Sequence, residues 1–122
     1  MLISEITADN SQLASLTVPE KCAVQKISCK NSKLLGINLV DLPYLASLDI
    51  SQNTFSYGSD VVLYNLPLIS RLIFTDSTFN GNFTIDNINV QSLDLSGLTF
   101  TGQVTLQNLN NIKTLNLASS SV

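Results

Sequence analysis

The chain has 122 residues, 44% of them hydrophobic but only 12% charged, with a net charge of −3 and no histidine or tryptophan. Its six basic residues form no cluster, which argues against an electrostatic grip on nucleic acid or on an anionic membrane surface. No stretch approaches the roughly 18 consecutive apolar residues of a membrane span, and the start, MLISEITADN, lacks the basic and apolar regions of a signal peptide.

From the N-terminus, the first element is ISEITADNSQL (3–13), aliphatic at positions one and four and apolar at position six. A short alternating stretch, LTV (16–18), follows it. The same pair then returns: VQKISCKNSKL (24–34) with INL (37–39), and LASLDISQNTF (45–55) with VVL (61–63). Next come ISRLIFTDSTF (69–79) with FTI (83–85), and VQSLDLSGLTF (90–100) with VTL (104–106). IKTLNLASSSV (112–122) completes the series. The fourth positions are Ile6, Ile27, Leu48, Leu72, Leu93 and Leu115, spaced 21, 21, 24, 21 and 22 residues apart.

Six copies in one register predict a solenoid, a single domain over 1–122 with coils starting near 3, 24, 45, 69, 90 and 112. In each copy positions four and six point inward and position five outward, the period of a strand. The second stretches are rich in β-branched residues and predict a second strand per coil. The connections NLPLI, NINV and NLNNI are too short for an ordinary helix, and Pro43 and Pro67 fall where a turn is needed. Each coil therefore reads strand, turn, strand, turn: mostly β, two short parallel strands, little or no helix. Inward columns such as Leu13, Leu34, Phe55, Phe79, Phe100 and Val122 would form the core.

The pattern L-x-x-L-x-L-x-x-N-x-L is that of leucine-rich repeats (LRR), and the chain resembles that family along its full length. Its short rhythm is most similar to repeats of bacterial and protist surface proteins. The family's ninth-position Asn, which bonds the backbone at the turn out of the strand, is represented by Ser11, Ser32, Asn53, Ser77, Leu98 and Ser120. Ser supplies that bond in part, and Leu98 cannot. The resemblance implies an LRR solenoid of about five and a half coils. Nothing at Ile3 or Val122 reads as a polar cap, so uncapped ends are expected, covered by further repeats of a longer array or by other copies.

The resemblance also implies binding through the exposed face of the first strand. Position five there holds Thr7, Ser28, Asp49, Ile73, Asp94 and Asn116, and position three includes Arg71. Asp49, Arg71, Ile73 and Asp94 are the expected contacts, although a plain solvated surface accounts for the same residues, since aromatic anchors are missing. The one irregular coil inserts residues near Phe55-Ser56-Tyr57-Gly58-Ser59-Asp60, and insertions in solenoids become loops, often on the binding face. Tyr57 and Tyr64 therefore join the candidates. Asn82-Phe83-Thr84 is a glycosylation sequon.

Other chemistry finds little support. Asp76 to Asn87 echoes a calcium loop but lacks its closing Glu, and a turn at Asn80-Gly81 explains the same residues. Asp49 and Asp94 stand two coils apart without any other sign of a sugar-cleaving pocket. Cys22 and Cys29 read as small core residues, with a disulfide between them possible but not required. No cofactor, zinc site or catalytic pair is expected. The sequence thus predicts a non-enzymatic module of an extracellular or cell-surface protein, presenting a polar strand face to a protein or glycan ligand. The alternative expectation is a structural subunit stacking end to end with further copies into a filament.

Overall fold

The computed structural model describes residues 3–121. The first coil contributes β1 (Glu5–Thr7), and the second β2 (Lys26–Ser28) and β3 (Ile37–Val40). The third coil holds β4 (Ser47–Asp49), β5 (Thr54–Phe55) and β6 (Val61–Leu66). The fourth repeats this with β7 (Arg71–Ile73), β8 (Thr78–Phe79) and β9 (Phe83–Ile88). The fifth does so with β10 (Ser92–Asp94), β11 (Thr99–Phe100) and β12 (Val104–Gln107), and β13 (Thr114–Asn116) opens the next turn. No helix occurs among the described residues. All pairing is parallel between successive coils, so the molecule is an all-β solenoid of about five turns.

Its third to fifth coils carry three strands each, not two. The extra one is the Thr-Phe pair that ends each repeat: Phe55, Phe79 and Phe100 stand in register in the ladder β5-β8-β11. We call the faces first (β1, β2, β4, β7, β10, β13), second (β5, β8, β11) and third (β3, β6, β9, β12). The phenylalanine column is the spine of the core. Phe79 stacks on Phe55 at 5.1 Å and on Phe100 at 5.2 Å, with Phe74 and Phe83 edge-on against it. Each such aromatic pair adds about 1 kcal/mol beyond its buried area. Val122, expected in this column, lies outside the described residues.

The first coil departs from expectation in a second way, because 16–18 forms no strand. Pro19 follows directly, and a proline offers no N–H to a ladder. Val18 is still buried, so the segment packs without pairing.

Two corners of every coil are built on left-handed residues. After the first-face strand, φ is positive at Asn10, Asn31, Gln52, Asp76, Gly97 and Ser119. After the third-face strand it is positive at Lys21, Asp41, Asn65, Asn87 and Asn108. Asn and Asp tolerate this conformation best among residues with a side chain, which accounts for their frequency. Their amides also bond up the stack: Asn31 to Asn10 at 3.0 Å, Asn65 to Asp41 at 2.6 Å and Asn87 to Asn65 at 3.1 Å. At the remaining corner the coils approach too closely for a side chain. A Cβ on Gly81 would lie 2.0 Å from the Ser59 carbonyl oxygen. The insertion of the third coil bulges from this corner, closed by a bond from Ser59 N–H to Ser56 O at 3.1 Å with Gly58 at φ 75°.

Candidate recognition face

Polar side chains of the first face are tied down by hydrogen bonds, Asp9 to the next coil and Asp49, Asp94 and Asn116 within their own. Asp9 Oδ1 accepts the Ser28 hydroxyl at 2.7 Å and the Lys30 N–H at 2.9 Å. Those bonds, the Lys30 N–H foremost, hold its carboxyl below the usual range, and the nearby lysine charges add to the effect. Asp49, Asp94 and Asn116 each accept the N–H two residues on at 3.0 Å, closing the turn that ends the strand. The Ser96 side chain, then its N–H, lowers the Asp94 pKa. The two carboxylates expected as ligand contacts thus have a structural duty as turn caps. Lys26 and Glu5 pair at 3.8 Å, both more than half exposed, a contact worth little in water.

Across β1, β2, β4 and β7 runs a shallow groove of about 190 Å³, lined among others by Asp9, Lys26, Lys30, Asp49, Arg71 and Ile73. Asp49, Arg71 and Ile73 therefore come together as expected.

Beyond β7 the face breaks. Elsewhere the N–H at position six donates to the next coil, as Cys29 does to Asp49 O at 2.9 Å, Ile50 to Ile73 O at 3.0 Å and Leu95 to Asn116 O at 2.8 Å. Position eight does likewise, with Asn31 donating to Ser51 O at 3.1 Å and Gln52 to Thr75 O at 2.8 Å. The corresponding bonds from Phe74 to Asp94 and from Asp76 to Ser96 are absent, and β7 and β10 belong to separate sheets. The second and third faces stay paired at this level, with Phe79 opposite Phe100 and Phe83 opposite Val104.

The ninth-position column is also interrupted at this level. Ser32 N–H donates to Asn53 Oδ1 at 3.0 Å, and Asn53 N–H to Ser77 Oγ at 3.2 Å. Ser77 would next need an acceptor at position 98, where leucine has none, so its N–H turns back to Phe74 O at 3.1 Å. Phe74 adds bulk at a sixth position that holds Cys29, Ile50 and Leu95 in other coils. A cleft of about 240 Å³ results, with Phe74 and Leu98 buried at its floor and Ile73, Thr75, Asp94 and Ser96 round it. Leu72 is left half-buried, whereas Leu48 and Leu93 are sealed.

No family model, curated protein or solved structure matches this chain. Its chemistry rests on its own residues.

The tyrosines do not converge on the groove. Tyr57 stands 77% exposed on the insertion loop, and Tyr64 lies on the third face between Val40 and Asp86. Tyr44, unselected from the sequence, lines a hollow of about 480 Å³ with Lys21, Asp41, Pro43, Asn65 and Pro67. The signal for it was the repeated Leu-Pro turn at Pro43 and Pro67. Asn82 is exposed, its Oδ1 accepting the Gln103 N–H at 3.1 Å. The calcium-like segment is spread over all three faces: Asp76 is a first-face corner, Phe79 sits in the aromatic column and Phe83 opens a third-face strand. Cys29 is fully buried and Cys22 half-buried, both as free thiols. Burial, assisted by Asp9, pushes the Cys29 thiol up to about 11.

Proposed function

We propose that the chain is a leucine-rich-repeat recognition module of an extracellular or cell-surface protein, binding an extended partner across its first face. The supporting observation is the groove over four coils, in which the polar side chains of Asp9, Ser28 and Asp49 are already fixed by hydrogen bonds. Such fixed polar groups lose little freedom on binding, which favours recognition of an elongated chain over a compact small molecule. The residues carrying contact are Lys30, Asp49, Arg71 and Ile73. Nothing in the groove supplies a nucleophile with an activating base, so the reading is non-catalytic. Peptide and glycan arrays probed with the wild-type chain and with the pair Lys30→Ala, Arg71→Ala test it. Hits that weaken at least about tenfold in the double variant support the reading, and equal signals from both proteins would sink it.

A second reading has its own observation. Leu115 and Leu117 are each 46% exposed, while their equivalents one coil earlier, Leu93 and Leu95, are buried. Further coils, or a second copy, would cover that surface, and end-to-end stacking in one sense generates a filament. Concentration-dependent light scattering separates this from a monomer.

A further inference from the structure

We propose that the solenoid carries a hinge between its fourth and fifth coils, pinned at the corner where Gly81 meets Gly102. About that pin the first face opens and closes between β7 and β10, while the second and third faces stay paired. The inference concerns the scaffold and does not depend on what the first face binds.

Three observations carry it. The first is that one junction lacks the backbone bonds that lead into the first-face strand elsewhere. Ala46 and Ser47 donate to Gln25 O at 2.8 and 3.2 Å, and Ser70 and Arg71 to Ala46 O at 3.0 and 3.2 Å. Lys113 and Thr114 donate likewise to Gln91 O at 2.7 and 3.1 Å. Gln91 and Ser92 make no such bond to Ser70 O, just as Phe74 and Asp76 make none to the fifth coil. Among the described residues, no hydrogen bond crosses the first face here. The second observation is that the other faces hold at the same level. Thr101 N–H donates to Phe79 O at 3.0 Å, Phe83 N–H to Gln103 O at 2.9 Å, and Phe100 stacks on Phe79 at 5.2 Å. The third is that backbone lies directly on backbone between those two faces. A Cβ on Gly102 would fall 2.3 Å from Gly81 O. That corner lies across the core from the first face, so rotation about it breaks no backbone bond on the opening side.

Apolar burial closes the first face at this junction, through Phe74, Leu93 and Leu98. Such contact is non-directional, whereas a ladder bond must keep its length and angle, so this junction yields before its neighbours do. The fifth coil and the start of the sixth swing as one body, because β10 and β13 stay in register. Asp94 thereby moves relative to Arg71, and the face takes more than one curvature.

NMR relaxation dispersion on the isotopically labelled wild-type chain tests the motion without any substitution. Expected is microsecond-to-millisecond exchange at the amides of Leu72, Phe74, Asp94 and Ser96, with Thr78, Thr99 and Thr101 flat. Spin-label pairs then give the direction, in a Cys22→Ser background that leaves only the fully buried Cys29. Arg71→Cys with Ser92→Cys spans the opening, and Ser47→Cys with Arg71→Cys spans a paired junction of the same face. Thr78→Cys with Thr99→Cys spans the pinned side. In frozen solution the first pair should show a spread of separations wider than the other two by about half a coil spacing, about 2.4 Å. Equal spreads in all three pairs overturn the hinge, whatever the dispersion shows. A spread at Thr78 and Thr99 as wide as at Arg71 and Ser92 overturns the pin, because the coils then part instead of swinging.

Discussion

Replacing Asn53 by alanine tests whether the ninth-position column holds the coils together. Asn53 is 1% exposed. Its Oδ1 accepts the Ser32 N–H at 3.0 Å and the Ser32 hydroxyl at 2.9 Å. Its Nδ2 donates to the carbonyls of Cys29 at 2.8 Å, Ile50 at 2.9 Å and Ser51 at 3.1 Å. After truncation most partners keep another bond: Cys29 O retains Ser32 Oγ, Ile50 O retains Ser77 Oγ, and Ser51 O retains the Asn31 N–H. The Ser32 N–H alone is orphaned, which costs about 1–3 kcal/mol, and the other lost bonds add about 1 kcal/mol more. With the void left by the amide, Asn53→Ala should destabilise by about 3–4 kcal/mol. Asn53→Ser should cost roughly half as much, because a serine hydroxyl can accept that N–H, as Ser77 Oγ does from Asn53 at 3.2 Å. Urea unfolding at 25 °C reads both through the midpoint, with the slope unchanged. The reasoning fails if Asn53→Ala lies within about 1 kcal/mol of wild type, or if serine is as damaging as alanine.

Gly81→Ala places a methyl 2.0 Å from backbone at Ser59, so the coils must part at that corner. A loss of about 1–3 kcal/mol should appear as a lowered thermal midpoint, and an unchanged midpoint would contradict the close approach. Cys29 makes the alkaline limb informative. Its folded pKa is raised from 9.0 to about 11, so the stability from its buried neutral thiol is complete below pH 9 and is lost as pH rises toward 11. Urea midpoints should fall over that range in the wild type and fall less in Cys29→Ala, and parallel curves would refute the assignment.

The repeat register and the phenylalanine column were legible because stacking forces like residues to recur at the coil length. The second-face strand was not, because Thr54-Phe55 and its copies read as the tail of the first pattern, and two residues carry too little periodicity to stand alone. The strand expected at 16–18 failed for a reason present in the sequence, since Pro19 has no donor. Of the candidate site, period two placed Asp49, Arg71 and Ile73 on one face correctly. Tyr57 and Tyr64 were grouped by closeness in sequence, but one coil is about 21 residues, so near neighbours are dealt round all three faces. Leu98 was visible as a missing polar group. That it lines one cleft with Phe74, where β7 and β10 do not pair, is visible only in the fold.

In-register stacking also sets what the surface can be made of. Each outward side chain meets its counterpart about 4.8 Å away in the next coil. A carboxylate or ammonium repeated at one position would therefore repel itself by about 1 kcal/mol per step even at the dielectric of water. Among the described residues no registered pair opposes two like charges: Glu5 faces Lys26, Ser47 faces Arg71, Asp49 faces Ile73 and Asp86 faces Gln107. A coil copied to lengthen the array brings its own residues into those same columns, so every ionised group it carries is multiplied. The charged fraction of 12% is thus the composition of a surface that can be duplicated without turning against itself.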